Sequence, residues 1–244
     1  MSYDVLFTKE NLDMYLKELA KVFRKLNGKM VPGEIILIGG AAILVNYGFR
    51  EMTNDMDAII HASSAMKDAI NIVGDKFNLP RGWLNTDFTR TKSYSDKLTQ
   101  VAIYYKTYSN VLTVRTVAGE YLIAMKLMAG REYKYDLSDI AGILWEHQKA
   151  GNPIPYEAVD RAVTELYGSW SGISEKLISV LKGLYESGDY EGLYLRSRES
   201  ELQAKEALIE FGKQYPDALK NEADVSEFLE KVREKKEDTR HERL

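Results

Sequence analysis

A chain of 244 residues, 45% hydrophobic and 29% charged, has the material for one large core or two modest ones and the make-up of a folded globular protein. Its net charge of −4 supplies no overall field that would draw a nucleic acid, although local basic patches stay open to it. With no cysteine, disulfides, thiol catalysis and thiolate metal sites are excluded.

The opening stretch MSYDVLFTKENLDMY carries acids early and has no apolar run behind positive charge, so it does not read as a signal peptide. The longest uncharged apolar run, 35–45, is too short to span a bilayer and contains two glycines. A cytoplasmic location without a membrane partner is the expectation. Residues 8–27 predict an amphipathic helix: Leu12, Tyr15, Leu16, Leu19, Val22, Phe23 and Leu26 recur at intervals of three and four. Asn27-Gly28 is its stop, and Pro32-Gly33 marks a turn.

The stretch 35–60, IILIGGAAILVNYGFREMTNDMDAII, carries the chemistry. It predicts a buried strand at 34–38, a break at Gly39-Gly40, a short apolar helix to about Tyr47, and a second strand at 56–61 with Asp55 and Asp57 at its entrance. Residues two apart on an extended segment share a face, so the two aspartates converge while Met56 turns toward the core. Neighbouring carboxylates repel unless a proton or a cation lies between them, and a hard divalent ion such as Mg2+ (or Mn2+) answers that need. Glycine lets a ligand approach the backbone closely, and the start of the following helix favours an anion. A D-x-D pair or a Gly-Gly turn alone is more often structural; the ordered combination is more specific.

Gly39-Gly40, fourteen residues, then Asp55-x-Asp57, with Arg50 and Thr53 leading into the acids, resembles the first motif of the polymerase-β-like nucleotidyltransferases. The resemblance is nearest to the toxin-type nucleotidyltransferases of bacterial abortive-infection systems and covers about residues 30–145. It implies Asp55 and Asp57 as Mg2+ ligands, and Gly39, Gly40, Arg50 and Thr53 as nucleotide-binding residues. The implied fold is α/β (α+β), a mixed sheet flanked by helices.

After the second strand, Ala62-Ser63-Ser64 predicts a helix start running to about Val73. Residues 75–100 lack periodicity, as functional loops often do. Their Leu79-Pro80-Arg81-Gly82-Trp83-Leu84-Asn85 resembles a segment of the same family to which no role attaches. Arg81, Arg90, Lys92 and Lys97 read first as a solvated basic face. Residues 101–105 and 111–117 predict two strands joined at Tyr108-Ser109-Asn110. The wider superfamily keeps a third carboxylate on a strand here, and neither run has one; Asp87 is the alternative donor.

Helix 120–130, EYLIAMKLMAG, sets Lys126 among apolar neighbours, a costly place for a charge without an anion to meet it. Lysines in such positions also snorkel to water. The pattern Leu122-x3-Lys126-x2-Ala129 resembles the toxin group's third motif and implies a phosphate contact for Lys126. Asp136 and Asp139 share one face of the next helix and resemble that group's terminal acidic motif. Asp136 also sits where an N-cap would, and Asp139 is a candidate to position Lys126 or the acceptor nucleophile.

Gly151-Asn152-Pro153-Ile154-Pro155 reads as a linker, giving a core domain at 1–150 and an all-helical region at 151–244, with helices near 156–167, 173–187, 190–213 and 223–237. His61, His147 and His241 lack ligand spacing, so zinc is not expected. The expected activity is Mg2+-dependent transfer of a nucleoside monophosphate from a nucleoside triphosphate to an acceptor hydroxyl, with Asp55, Asp57, Lys126, Asp136 and Asp139 as catalytic residues. The toxin resemblance implies tRNA or a protein as acceptor and an antitoxin as partner. The alternatives are transfer to a small molecule such as an antibiotic, and a nucleotide-binding module without turnover.

Overall fold

The computed structural model describes residues 6–28, 31–54, 56–131 and 136–215, together with 225, 228 and 229. The first helix, α1 (Lys9–Asn27), opens on a reciprocal cap: Thr8 Oγ1 accepts from the Asn11 backbone, and Asn11 Oδ1 accepts from the Thr8 N–H at 2.9 Å. Two of the orphan donors of the first turn are thereby satisfied. Leu12, Leu16, Leu19 and Phe23 are fully buried, as the three-four spacing requires.

The sheet has four strands in the order β2-β1-β4-β3, where β1 is Gly33–Leu37, β2 is Ala58–His61, β3 is Ala102–Tyr108 and β4 is Leu112–Val117. β1 runs antiparallel to β2 and parallel to β4, and β3 closes the edge antiparallel to β4. Ile35, Ile36 and Leu37 point to alternate faces and are all fully buried, so both faces of the central strand are covered. The β3–β4 hairpin turns on Ser109 and Asn110, both at positive φ, at the expected turn. This is the mixed sheet flanked by helices that the sequence predicts.

Between β1 and β2 lies α2 (Gly39–Asn46), and α3 (Ala65–Phe77) follows β2 and packs on α1. The stretch without periodicity holds a 3-10 turn at Asp87–Arg90 and a single helical turn, α4 (Leu98–Val101). Beyond the sheet come α5 (Gly119–Ala129), α6 (Asp136–Lys149), α7 (Tyr156–Tyr167), α8 (Glu175–Ser187) and α9 (Tyr190–Gln214). α5 packs against α6 and α7, and α6 packs against α9. The chain turns at Gly151, where φ is positive, and side-chain contacts continue across that turn. Ser95 Oγ donates to the Leu166 carbonyl at 2.9 Å, and the Tyr167 hydroxyl donates to that of Ser93 at 2.8 Å. The helix expected at 223–237 lies outside the described residues apart from 225, 228 and 229, of which Phe228 packs against Phe211 with the rings tilted. Among the described residues no helix is long and apolar enough to cross a membrane.

Candidate active site

At the end of β1 the Ile38 N–H donates to the Asp57 carbonyl at 2.9 Å, which brings Asp57 beside the glycine pair. Gly39 takes a positive φ of 55° and turns the chain into α2. No side chain caps that helix, so its first backbone N–H groups have no partner within it. Its body, Ala41 to Val45, is buried and fixes the helix against the core. Gly39 and Gly40 line a cavity of about 310 Å3, into which Asp57 and Lys126 also face.

One wall of the cavity is acidic. Asp57 is half-buried, and Met56 before it is fully buried, as the alternation requires. Asp57 pairs with Asn85 in an isolated parallel bridge: the Asn85 N–H donates to the Met56 carbonyl, and the Ala58 N–H donates to that of Asn85. Asn85 Oδ1 then accepts from the Asp87 N–H at 2.8 Å, and Asp87 reaches the same cavity. The loop is pinned by Trp83, whose indole is buried against Phe7 and Tyr15 and donates to the Ile70 carbonyl at 2.9 Å. The Leu79–Asn85 segment thus braces the acidic wall, a role that residue type alone does not disclose.

Another wall of the cavity is cationic. Lys126 Nζ lies 2.8 Å from Asp136 Oδ1 and 2.8 Å from Asp139 Oδ2. Arg50 Nη1 meets both oxygens of Asp139 at 2.7 and 2.6 Å, and Arg131 meets Asp136 through its backbone N–H and its Nε. Burial alone would lower the Lys126 pKa, but Asp136 and Asp139 more than offset it and raise it above the ordinary value. Burial likewise opposes ionisation of Asp136, and Lys126 and Arg131 overcome it to hold the carboxyl below its usual range. Three cations surround two carboxylates, and the cations line the cavity while both carboxylates sit behind them. The wall therefore carries an excess of one positive charge toward the cavity.

Gly39, Gly40, Arg50, Thr53, Asp57 and Lys126 are brought together around this one space. Thr53 is held there by paired backbone hydrogen bonds with Phe7 at 2.8 and 2.9 Å. Asp136 and Asp139 stand behind Lys126, at 3% and 1% exposure, and do not reach the cavity. Asp55 lies outside the described residues. Arg81, Arg90, Lys92 and Lys97 are exposed and are not among the residues lining the cavity, whose lining cations are Arg50, Lys126 and Arg131. Arg131, Thr91 and Ser93 are lining residues that no motif marks, and Asn85 ends the segment to which no role attached; an arginine just after a helix that carries a buried lysine was the available signal.

The donor set suits a hard cation. Asp57, Asp87 and the Asn85 amide offer oxygen, and Mg2+ is commonly held by one or two carboxylates plus substrate phosphates. Among the described residues no group of three or more His, Asp or Glu side chains gathers as a ready-made metal site. A site of the shared kind, completed by substrate, is the one these residues fit. A family model described as "Nucleotidyltransferase of unknown function (DUF6036)" matches residues 14–147, more than half of the chain. No curated protein and no solved structure matches it.

Proposed function

The chain belongs to this nucleotidyltransferase family, and from that premise we propose that it transfers a nucleoside monophosphate from a nucleoside triphosphate to an acceptor hydroxyl. The observation that carries the reading is the division of charge in the lining of one cavity: the acid Asp57 and the cations Arg50, Lys126 and Arg131 share it with the start of α2 at Gly39 and Gly40. A polyphosphate carrying a divalent cation has the complementary division. The N–H groups of α2 suit phosphate oxygens, and the cationic wall suits the charge that gathers on departing pyrophosphate.

In the reaction the acceptor oxygen bonds to the α-phosphorus, the bond from that phosphorus to the bridging oxygen breaks, and pyrophosphate leaves. Asp57, with Asp55, would hold Mg2+, which when bound neutralises the triphosphate and lowers the pKa of the acceptor hydroxyl. Asp57 and Asp87 are the described carboxylates that line the cavity, and Asp57 is our candidate to orient the acceptor and take its proton. Asp136 and Asp139 spend their oxygens on Lys126, Arg50 and Arg131. Their part is to hold the cationic wall in place, and Lys126 meets phosphate from that fixed position. The resemblance to the toxin-type enzymes favours the 3′ end of tRNA, or a protein side chain, as acceptor, and an antitoxin as partner.

Incubation with labelled nucleoside triphosphates, Mg2+ and bulk tRNA tests the reading. Asp57→Asn is expected to lower label transfer by about 10²- to 10³-fold, and chelation of the metal to abolish it. Equal labelling by the wild type and the variant would refute the assignment. Metal-dependent nucleotide binding with no transfer to RNA, protein or aminoglycoside would make the chain a binding module instead.

A further inference from the structure

A second cavity, of about 340 Å3, lies back to back with the first, and Lys126 and Arg131 line both. Its walls come from the C-terminal end of α5, the first turns of α6, and the facing sides of α8 and α9. Leu137, Ile140, Leu177 and Val180 give it an apolar body. Lys176 and Arg196 join Arg131 around it, so lining cations outnumber lining acids by four to two, with Arg196 also paired to the exposed Asp189 outside the lining. Of the two acids, Asp136 already has both oxygens on Lys126 and Arg131. The other is Glu201.

Glu201 is an unusual residue for the side of a helix. It is 5% exposed, and its Oε1 accepts from the Ser138 N–H in the first turn of α6 at 3.2 Å. Its Oε2 is buried and has no hydrogen-bond partner among the described residues. Buried polar atoms are nearly always paired, and an orphan calls for a missing partner. Burial, with Asp139 and Asp136 nearby, pushes its pKa up to about 7, so below that pH it adds no negative charge to the cavity lining. The cavity therefore offers an apolar body and a rim of positive charge. Its volume is that of a small-molecule site.

We propose that this cavity is a second ligand site, which takes a small molecule with an apolar body and an anionic head, the head meeting the charges of Arg131, Lys176 and Arg196. The site is separate from the nucleotide cavity, though the two share a wall. An anion there competes with Asp136 for Arg131, so occupancy bears on the cationic wall of the first cavity.

Three probes with one apolar body and different heads test this: octanoate, octanol and octylammonium, titrated below pH 7 into the full chain carrying labelled Ile, Leu and Val methyls. Octanoate is expected to shift the methyls of Leu137, Ile140, Leu177 and Val180 saturably, octanol weakly and octylammonium not at all. Val180→Trp, which fills the cavity from α8, should weaken octanoate by about tenfold or more. If that variant does not give a dispersed spectrum, Arg196→Ala serves. Its side chain is 67% exposed, so the fold is spared, and octanoate should weaken by about threefold while octanol is unchanged. Shifts spread over the molecule, equal response to octanoate and octylammonium, or full octanoate binding by both variants would overturn the proposal. No nucleotide is present in the titration, so its failure leaves the transfer reaction standing, and failure of that reaction leaves this site standing.

Discussion

Lys126 is the residue on which the buried charges depend. Removing one partner from a buried ion cluster leaves the others uncompensated, at a cost of about 3–5 kcal/mol. Lys126→Met conserves volume and deletes only the charge, so urea unfolding at pH 7 should show a loss of that size. The pH dependence has a definite sign. The folded pKa of Asp136 is lowered, so its contribution is present above the unfolded carboxylate value, about 4, and is lost as pH falls through the folded one. The folded pKa of Lys126 is raised, so its contribution is complete below about 10.5 and is lost as pH rises through the folded value. The cluster is therefore fully stabilising across the neutral range. The gap between variant and wild type should close as acid protonates the carboxylates that the variant leaves unmatched. A gap that stays constant from pH 7 to pH 3 would mean that the ammonium is not what compensates Asp136 and Asp139.

At the scale of elements, the glycine pair divides its work between conformation and space. Gly39 supplies the positive φ and has nothing within 4 Å of where a Cβ would stand. Gly40 is the reverse: a Cβ there would lie 2.5 Å from Thr53 Oγ1 and 3.1 Å from Arg50 Nη2. Thr53 is tied to Phe7 and Arg50 to Asp139, so neither can withdraw freely. Gly40→Ala gains about 1 kcal/mol in helix propensity, yet the overpacking costs about 1–3 kcal/mol. Unfolding should show a net loss, and calorimetry with a non-hydrolysable triphosphate a weakened affinity. Gly39→Asn, whose side chain tolerates positive φ and meets open space, should do less on both counts; the opposite ranking would show that turn geometry rather than close approach governs the site. This also marks how far the sequence could be read. Gly39, Gly40, Asp57 and Lys126 were legible because each is an odd residue in a periodic element. The bracing of Asp57 by Asn85 was not, because the stretch 78–97 has no period and its register is set by Trp83 seated against α1 and α3. The attachment of Asp136 and Asp139 to Lys126 and Arg50, instead of to the cavity, was not legible either. It depends on how α6 lies along α5, which sequence spacing within one helix does not contain.

Across the whole molecule, the part beyond the family match reaches back to the buried charges behind the site through a carboxyl on α9. In sequence Glu201 is one of several acids on α9, with Glu191, Glu199, Glu206 and Glu210. It differs only in facing α6, where Ser138 donates to it and Asp136 and Asp139 stand nearby. Those two neighbours belong to the cluster that holds Lys126, so α9 and the cationic wall share an electrostatic environment. Burial raises the folded pKa of Glu201 to about 7, whereas the unfolded value is that of an ordinary glutamate. Between the two values the folded state keeps a proton that the unfolded state gives up. Stability is thus highest below the unfolded pKa, falls as pH rises, and levels off once pH passes the folded pKa. The span corresponds to about 3 kcal/mol. Glu201→Gln removes the titration, keeps an oxygen for the Ser138 N–H, and retains a donor where the acid proton was. The two proteins should unfold at similar urea concentrations near pH 5, and the variant should be the more stable by pH 8. A wild type as stable at pH 8 as at pH 5, with no advantage to the variant, would mean that Glu201 has found a partner or water, and that the helices after residue 150 lie against α6 less closely than described.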